Sequence, residues 1–267
     1  MENVLKKIID KKKPKIEKLK KIYPLNSILN NLKESENFID FKKNLIYKNQ
    51  NKGISIIAEI KKASPSAGLL VNNFDPLNIA KSYINNGASA LSGLTEEDFF
   101  LGKLDFIKDI KDSFKTPILC KDFFIDTYQV ALAKSYGADC ILIILSAIDK
   151  ALAKDLYQTA NDLNISTLVE VHSKKEAEIA LSFEKSIIGI NNRNLKNLEV
   201  SIENSVHISK ILTSHQNPMI CESGIHSSND IKYIVEKTKI RNFLIGESLL
   251  LSGDIGSKLR EFTQITL

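Results

Sequence analysis

From residue 54 onward the chain alternates, and that alternation limits its fold more than any single motif. Short apolar, β-branched runs recur at 55–60 (SIIAEI), 90–95 (ALSGLT), 117–123 (PILCKDF), 140–146 (CILIILS), 167–172 (TLVEVH), 186–191 (SIIGIN), 218–223 (PMICES) and 242–248 (NFLIGES). Between them lie amphipathic stretches such as LNIAKSYINNG (77–87), TYQVALAKSYG (127–137) and NDIKYIVEKT (229–238), with Gly87 and Gly137 placed as helix C-caps. A strand followed by a helix, repeated, builds a parallel sheet. Eight such units predict an α/β fold, a single closed (β/α)8 barrel, with an open doubly wound sheet as the alternative. No G-x-G-x-x-G follows a strand, which weighs against a dinucleotide-binding form of that alternative.

Residues 1–50 stand outside the repeat. They are Lys-rich, with apolar positions at Val4, Leu5, Ile8 and Ile9 and again at Phe38, Ile39 and Phe41. That recurrence predicts a helical N-terminal extension packed on the barrel rather than a disordered basic tail. No Gly/Ser linker follows, so 1–267 reads as one domain, with the barrel at 54–267.

The net charge of +5 is mild, the lysines are scattered and aromatics make up 7% of the chain. No basic block is interleaved with stacking rings, so nucleic acid is not an expected partner. A small anionic substrate suits the charge equally well. The start, MENVLKKIIDKKKPK, is charged from its second residue and has no apolar core, so no secretory signal is expected. No apolar run nears the roughly 18 residues of a membrane span. The cysteines, Cys120, Cys140 and Cys221, are odd in number and sit in or beside apolar runs. They read as buried reduced thiols in a cytoplasmic protein. Four histidines without HExxH or CxxC predict no metal site. The expected assembly is a monomer or weak homo-oligomer.

Side chains two apart on a strand share a face. Glu59 thus shares one with Lys61, Lys121 with Leu119 and Phe123, Glu170 with Leu168, Asn191 with Gly189 and Arg193, and Glu222 with Ile220. Each polar group ends an apolar run. One such residue would be a solvated rim position. Five, of both signs, predict an acid–base set at the C-terminal mouth of a barrel, around a polar anionic substrate. SGIHSS (223–228) and GES (246–248) follow the seventh and eighth runs, where barrels bind phosphate through backbone N–H groups.

The strings AEIKKASPS, LTEEDFFLG, KDFFID, VEVH, GINNRNL, ESGI and LIGESL, in that order, closely resemble the indole-3-glycerol phosphate synthase family of tryptophan biosynthesis. The resemblance covers nearly the whole chain, including the N-terminal extension. It implies a lyase that converts 1-(2-carboxyphenylamino)-1-deoxyribulose 5-phosphate to indole-3-glycerol phosphate, releasing CO₂ and water, with no metal or organic cofactor. It implies that Lys121 is a general acid toward the substrate carbonyl and Glu170 the base-side group of the dehydration. Glu59 and Lys61 would form a second acid–base pair near the departing hydroxyl. Asn191, Glu222 and Ser223 would position hydroxyls and the carboxylate, and Arg193 would order the neighbouring charges. Gly224, Gly246 and Glu247 would receive the phosphate, with Ser66 near the first loop. Phe100, Phe123, Leu195 and Leu198 would wall in the anthranilate ring. Nearby cations and apolar walls lower a lysine pKa while carboxylates raise it, and the sequence leaves that balance open.

Some positions depart from the family's common pattern. Gly93 stands where an apolar residue is usual and predicts a locally loose second strand. Ala63 and Ala67 stand where many members carry a basic residue, which predicts a weaker hold by the first loop. The fused phosphoribosylanthranilate isomerase barrel of some relatives is expected to be absent. Two other functions remain open to this pattern: another phosphosugar barrel enzyme such as that isomerase, or a barrel that binds a phosphorylated ligand without turnover.

Overall fold

The structure is a computed structural model that describes residues 4–32, 38–50, 53–195 and 197–266. Eight parallel strands form its centre: β1 (Ser55–Ile60), β2 (Ala90–Leu94), β3 (Ile118–Lys121), β4 (Cys140–Ile144), β5 (Ser166–Val171), β6 (Ile187–Asn191), β7 (Met219–Glu222) and β8 (Asn242–Ile245). β1 pairs with both β2 and β8, which closes the ring into a (β/α)8 barrel. The three helical stretches fold as Pro76–Asn85, Tyr128–Ser135 and Ser228–Thr238. Gly87 and Gly137 follow the first two at φ of 95° and 91°, left-handed geometry that glycine adopts without strain.

Alternate strand positions feed two cores. Ile56, Ala58 and Ile60 of β1, with their counterparts on the other strands, meet the surrounding helices. Ile57, Leu119, Leu142, Leu168, Ile187, Ile220 and Leu244 fill the barrel interior. Runs apolar on both faces explain why the strands are nearly continuous in hydrophobicity. Gly93 does not loosen β2. It pairs with Ile60 and Cys120, and the Ile107 side chain fills its place, with Cδ1 2.6 Å from where a Cβ would stand.

The N-terminal extension holds both ends of the barrel. α1 (Val4–Ile22), α2 (Leu25–Asn31) and α3 (Phe41–Gln50) are helical. The expected extension also takes in 1–3 and 33–37, which lie outside the described residues. Phe41 and Leu45, both 0% exposed, enter the interior cluster. Ile39 N–H donates to Asp139 at 2.9 Å and Lys42 Nζ to the Lys185 carbonyl at 3.1 Å, so this segment sits under the strand N-termini. α1 crosses the opposite end. Its lysines are used there: Lys12 pairs with Asp122 at 2.6 Å, Lys15 with Glu97 at 2.7 Å and Lys20 with Asp126 at 2.6 Å. The three cysteines are buried and free. Among the described residues no helix is long and apolar enough to cross a membrane.

Candidate active site

The interior changes character one layer above the apolar fill. Two residues beyond Ile57, Leu119, Leu168 and Ile220 stand Glu59, Lys121, Glu170 and Glu222. A cavity opens above them at the C-terminal mouth. Glu59, Lys61, Lys121, Glu170 and Asn191 line it, together with Arg193, Ser223, Gly224, Gly246 and Glu247. Ser66, Phe100, Phe123, Leu195 and Leu198 complete its wall, over a floor that includes Leu94, Leu142, Ile144 and Leu244. Glu222 is the exception: it lies beneath the cavity, 0% exposed, with Oε2 3.5 Å from Lys121 Nζ.

The charges form a chain. Lys61 Nζ lies 2.6 Å from Glu59 Oε1, and Lys121 Nζ lies 2.9 Å from Glu59 Oε2. Burial alone would lower the pKa of Lys121, but Glu59, Glu222 and Glu170 outweigh it and raise it well above the ordinary lysine value. The balance left open by the sequence thus falls to the carboxylates. Burial alone would raise Glu59, yet Lys121 and Lys61 pull it down to about 2. Glu170 is likewise held down to about 2 against burial, chiefly by His172. Glu222 is the opposite case. Burial and the neighbouring Glu170 charge push it up to about 8, against the pull of Lys121.

Local hydrogen bonds aim the neutral groups. Asn191 Oδ1 accepts from Arg193 N–H and from Ser223 Oγ, each at 2.9 Å. Its amide NH₂ is therefore directed to Glu170, which it stabilises as a carboxylate. Ser223 takes φ 65° and Gly224 φ 80°, a left-handed pair at the loop after β7. Such geometry at a non-glycine residue is strained and concentrates at functional sites. Arg193 Nη2 lies 3.2 Å from Glu247 Oε2. In the loop after β2, the Glu96 carboxylate accepts N–H bonds from Asp98, Phe99 and Phe100. That clamp holds Phe100 against Phe123, with ring centroids 6.3 Å apart. The first loop folds as a hairpin, Ala63–Ser64 against Gly68–Leu69, with Ala63 buried and Ala67 exposed. A Cβ on Gly246 would stand 2.7 Å from Glu59 Oε1 and 2.9 Å from Glu59 Cβ, so glycine there leaves room for the Glu59 side chain.

Four contributors escape the sequence pattern. Val4, Leu5 and Ile8 of α1 line the cavity. His172 Nε2 lies 3.1 Å from Glu170 Oε1, an ionic contact not aligned as a hydrogen bond, and its Nδ1 lies 3.4 Å from Glu176 Oε2. Burial would lower the pKa of His172, but these two carboxylates raise it to about 10. The spacing Glu170, His172, Glu176 was a usable signal. Among the described residues no group of three or more His, Cys, Asp or Glu has the arrangement to hold a metal ion.

Comparison with known proteins agrees with this geometry. The family model "Indole-3-glycerol phosphate synthase" matches residues 5–262. A protein of that name from Alkaliphilus metalliredigens is 38% identical over 258 residues, covering 97% of each chain. One from Endomicrobium trichonymphae is 39% identical over 263 residues, covering 97% of this chain and 98% of its own. One from Ruminiclostridium cellulolyticum is 43% identical over 206 residues, covering 77% of this chain and 78% of its own. A solved structure from Aquifex aeolicus VF5 superposes with a TM-score of 0.63 at 11% identity, covering 84% of this chain and 98% of that one, and shares the fold.

Proposed function

The chain belongs to the indole-3-glycerol phosphate synthase family, and from that premise we propose how its barrel mouth divides the reaction. The activity is that of a carboxy-lyase of tryptophan biosynthesis, acting on a small phosphosugar. Lys121 donates a proton to the substrate carbonyl oxygen, which makes that carbon electrophilic toward the aromatic ring. A bond then forms from the carboxyl-bearing ring carbon, and loss of CO₂ restores aromaticity. Lys61, held by Glu59, protonates the departing hydroxyl, and Glu170 takes the proton that must leave as water departs. Asn191 and Ser223 orient the substrate hydroxyls. Phe100, Phe123, Leu195 and Leu198 hold the ring. The phosphate sits against Gly224, Gly246 and Glu247, with Ser66 closing from the first loop and Arg193 fixed by Glu247.

The observation that carries this reading is Lys121 at the end of β3, gripped by Glu59 at 2.9 Å over an apolar floor. A lysine so gripped is charged at neutral pH and held at the edge of the cavity, in place to donate a proton. Residues 1–50 act with the barrel as one domain; the ion pairs of α1 support that. The same pairs occupy lysines that a phosphate backbone would otherwise need, which supports a protein without a nucleic-acid partner. Three buried free thiols suit the reducing cytoplasm. The test supplies the carboxyphenylamino-deoxyribulose phosphate and follows indole fluorescence with and without inorganic sulfate. Turnover inhibited competitively by sulfate, with sulfate-induced amide shifts at Gly224 and Gly246, is expected. Absence of turnover overturns the activity; sulfate shifts confined elsewhere overturn the phosphate placement.

A further inference from the structure

Glu222 is the one member of the charged set that does not face the cavity. It is 0% exposed, and its Oε1 has no hydrogen-bond partner. An unpartnered buried carboxyl oxygen is costly to keep and calls for an explanation. Its position supplies one. In the strand register Glu170 of β5 stands opposite Gly189 of β6, and Asn191 of β6 stands opposite Glu222 of β7. Gly189 opens the sheet between the two acids: a Cβ there would lie 1.9 Å from Glu222 Oε1. A glycine inside a strand marks such a close approach. Through that gap Glu222 Oε1 lies over Gly189, on the side of Glu170, whose charge helps hold the Glu222 carboxyl in its neutral form. Its other oxygen, Oε2, lies 3.5 Å from Lys121 Nζ. One buried carboxyl therefore stands between the group that gives a proton early and the group that takes one late, with its free oxygen on the side of the second.

We propose that Glu222 is a proton relay that returns the proton collected by Glu170 to Lys121, each of its two oxygens serving one of them. This rests on the roles assigned above. After a turnover Lys121 and Lys61 are neutral amines and Glu170 a neutral acid; Lys61 regains its proton from solvent, the one proton that loss of the carboxylate as CO₂ consumes. Glu222 gives the proton on its Oε2 side to Lys121 Nζ and accepts the Glu170 proton at Oε1. One O–H bond breaks as one N–H forms, and one O–H breaks as another O–H forms. Lys121 ends as an ammonium, Glu170 as a carboxylate, and Glu222 again carries one proton, now on Oε1; a half-turn of the carboxyl about its Cγ–Cδ bond brings it back to the Lys121 side. Charge and protons balance, and no outside donor enters this return. The transfer runs downhill, because the site favours an ionised Glu170 and a charged Lys121. The other charged groups around the relay are Glu59 on β1, which holds Lys121, and His172 after β5, which holds Glu170. Both favour the same end state. A solvent route to Lys121 would have to pass bound product, because Lys121 lines the cavity that the substrate fills, with its side chain only 18% exposed.

The test is Glu222→Gln, which keeps the shape and cannot relay. Enzyme equilibrated before mixing starts with Lys121 charged, so the first turnover should run within about threefold of wild type. Steady-state kcat should fall at least tenfold, giving a burst of one product per site. Small protonated buffers such as imidazolium should restore part of the lost kcat, which a merely structural role would not allow. Equal loss in the first and later turnovers, or an unchanged kcat, overturns the relay. Wild-type enzyme that gives no product at all would instead overturn the functional reading beneath it.

Discussion

Two buried carboxyl groups, one at each end of the barrel, are equally hidden and differently served. Asp139 lies just before β4 and Glu222 ends β7; both are 0% exposed. Asp139 receives the Lys111 ammonium at 2.8 Å and the N–H groups of Ile118 and Ile39 at 2.9 Å each. Glu222 has one oxygen with no partner and the other at a long 3.5 Å from Lys121. A buried polar group with its bonds filled belongs to the fold, and one left short keeps capacity for a proton. The same division runs through the interior. The floor, closed by Phe41 and Leu45, is apolar and packed, whereas the mouth holds acids and bases pressed together over an open cavity. The packed apolar floor and the proposed chemistry therefore fall at opposite ends of one set of strands, as in barrels that keep activity apart from stability.

The largest break in this contrast is expected from Lys121→Met, which keeps the side-chain stem and removes the charge. Loss of the general acid should lower kcat at least about 100-fold. Stability should change by no more than about 1 kcal/mol, because Glu59 keeps Lys61 and Glu170 keeps His172. Steady-state kinetics beside thermal unfolding check both halves; near wild-type turnover would remove Lys121 from its role. At the floor the pattern should invert. Phe41→Ala should cost about 3–5 kcal/mol of stability and leave kcat unchanged at temperatures where the variant is folded. A kcat loss without a stability loss would show that α3 reaches the chemistry.

Much of this was legible in the sequence. Strands apolar on both faces stand out as runs, so all eight appear at nearly their true positions. Their ends do not. Thr95 and Phe123 continue the apolar pattern past the last ladder residues, Leu94 and Lys121, but serve the loops and cavity wall. The charged set was legible because its members end apolar runs at a spacing of two. The pKa of Lys121 was not, since it depends on separations between strands distant in sequence. Gly189 carried a signal, a glycine inside a strand, but its partner Glu222 lies on the next strand. The meaning of Gly246 needed the fold, because the group it must avoid is Glu59 on the far side of the ring closure. The apolar spacing of α1 already pointed to a helix packed on the barrel, but the acidic partners of its lysines, Asp122, Glu97 and Asp126, needed the fold.

The contrast between floor and mouth is tested most directly by measuring unfolding free energy and kcat for Asp139→Asn and Glu222→Gln side by side. Asp139→Asn removes the carboxylate that pairs with buried Lys111 and should cost about 3–5 kcal/mol with kcat unchanged. Glu222→Gln should lower steady-state kcat at least tenfold with little loss of stability. The pH dependence sharpens it. Because the Glu222 carboxyl is raised from 4.5 to about 8, its contribution to wild-type stability is fully present below pH 4.5 and is lost as pH rises through about 8. Glu222→Gln has nothing to titrate there and should gain on the wild type across that window. Equal stability losses in the two variants, or a Glu222→Gln enzyme with wild-type kcat, would contradict the account.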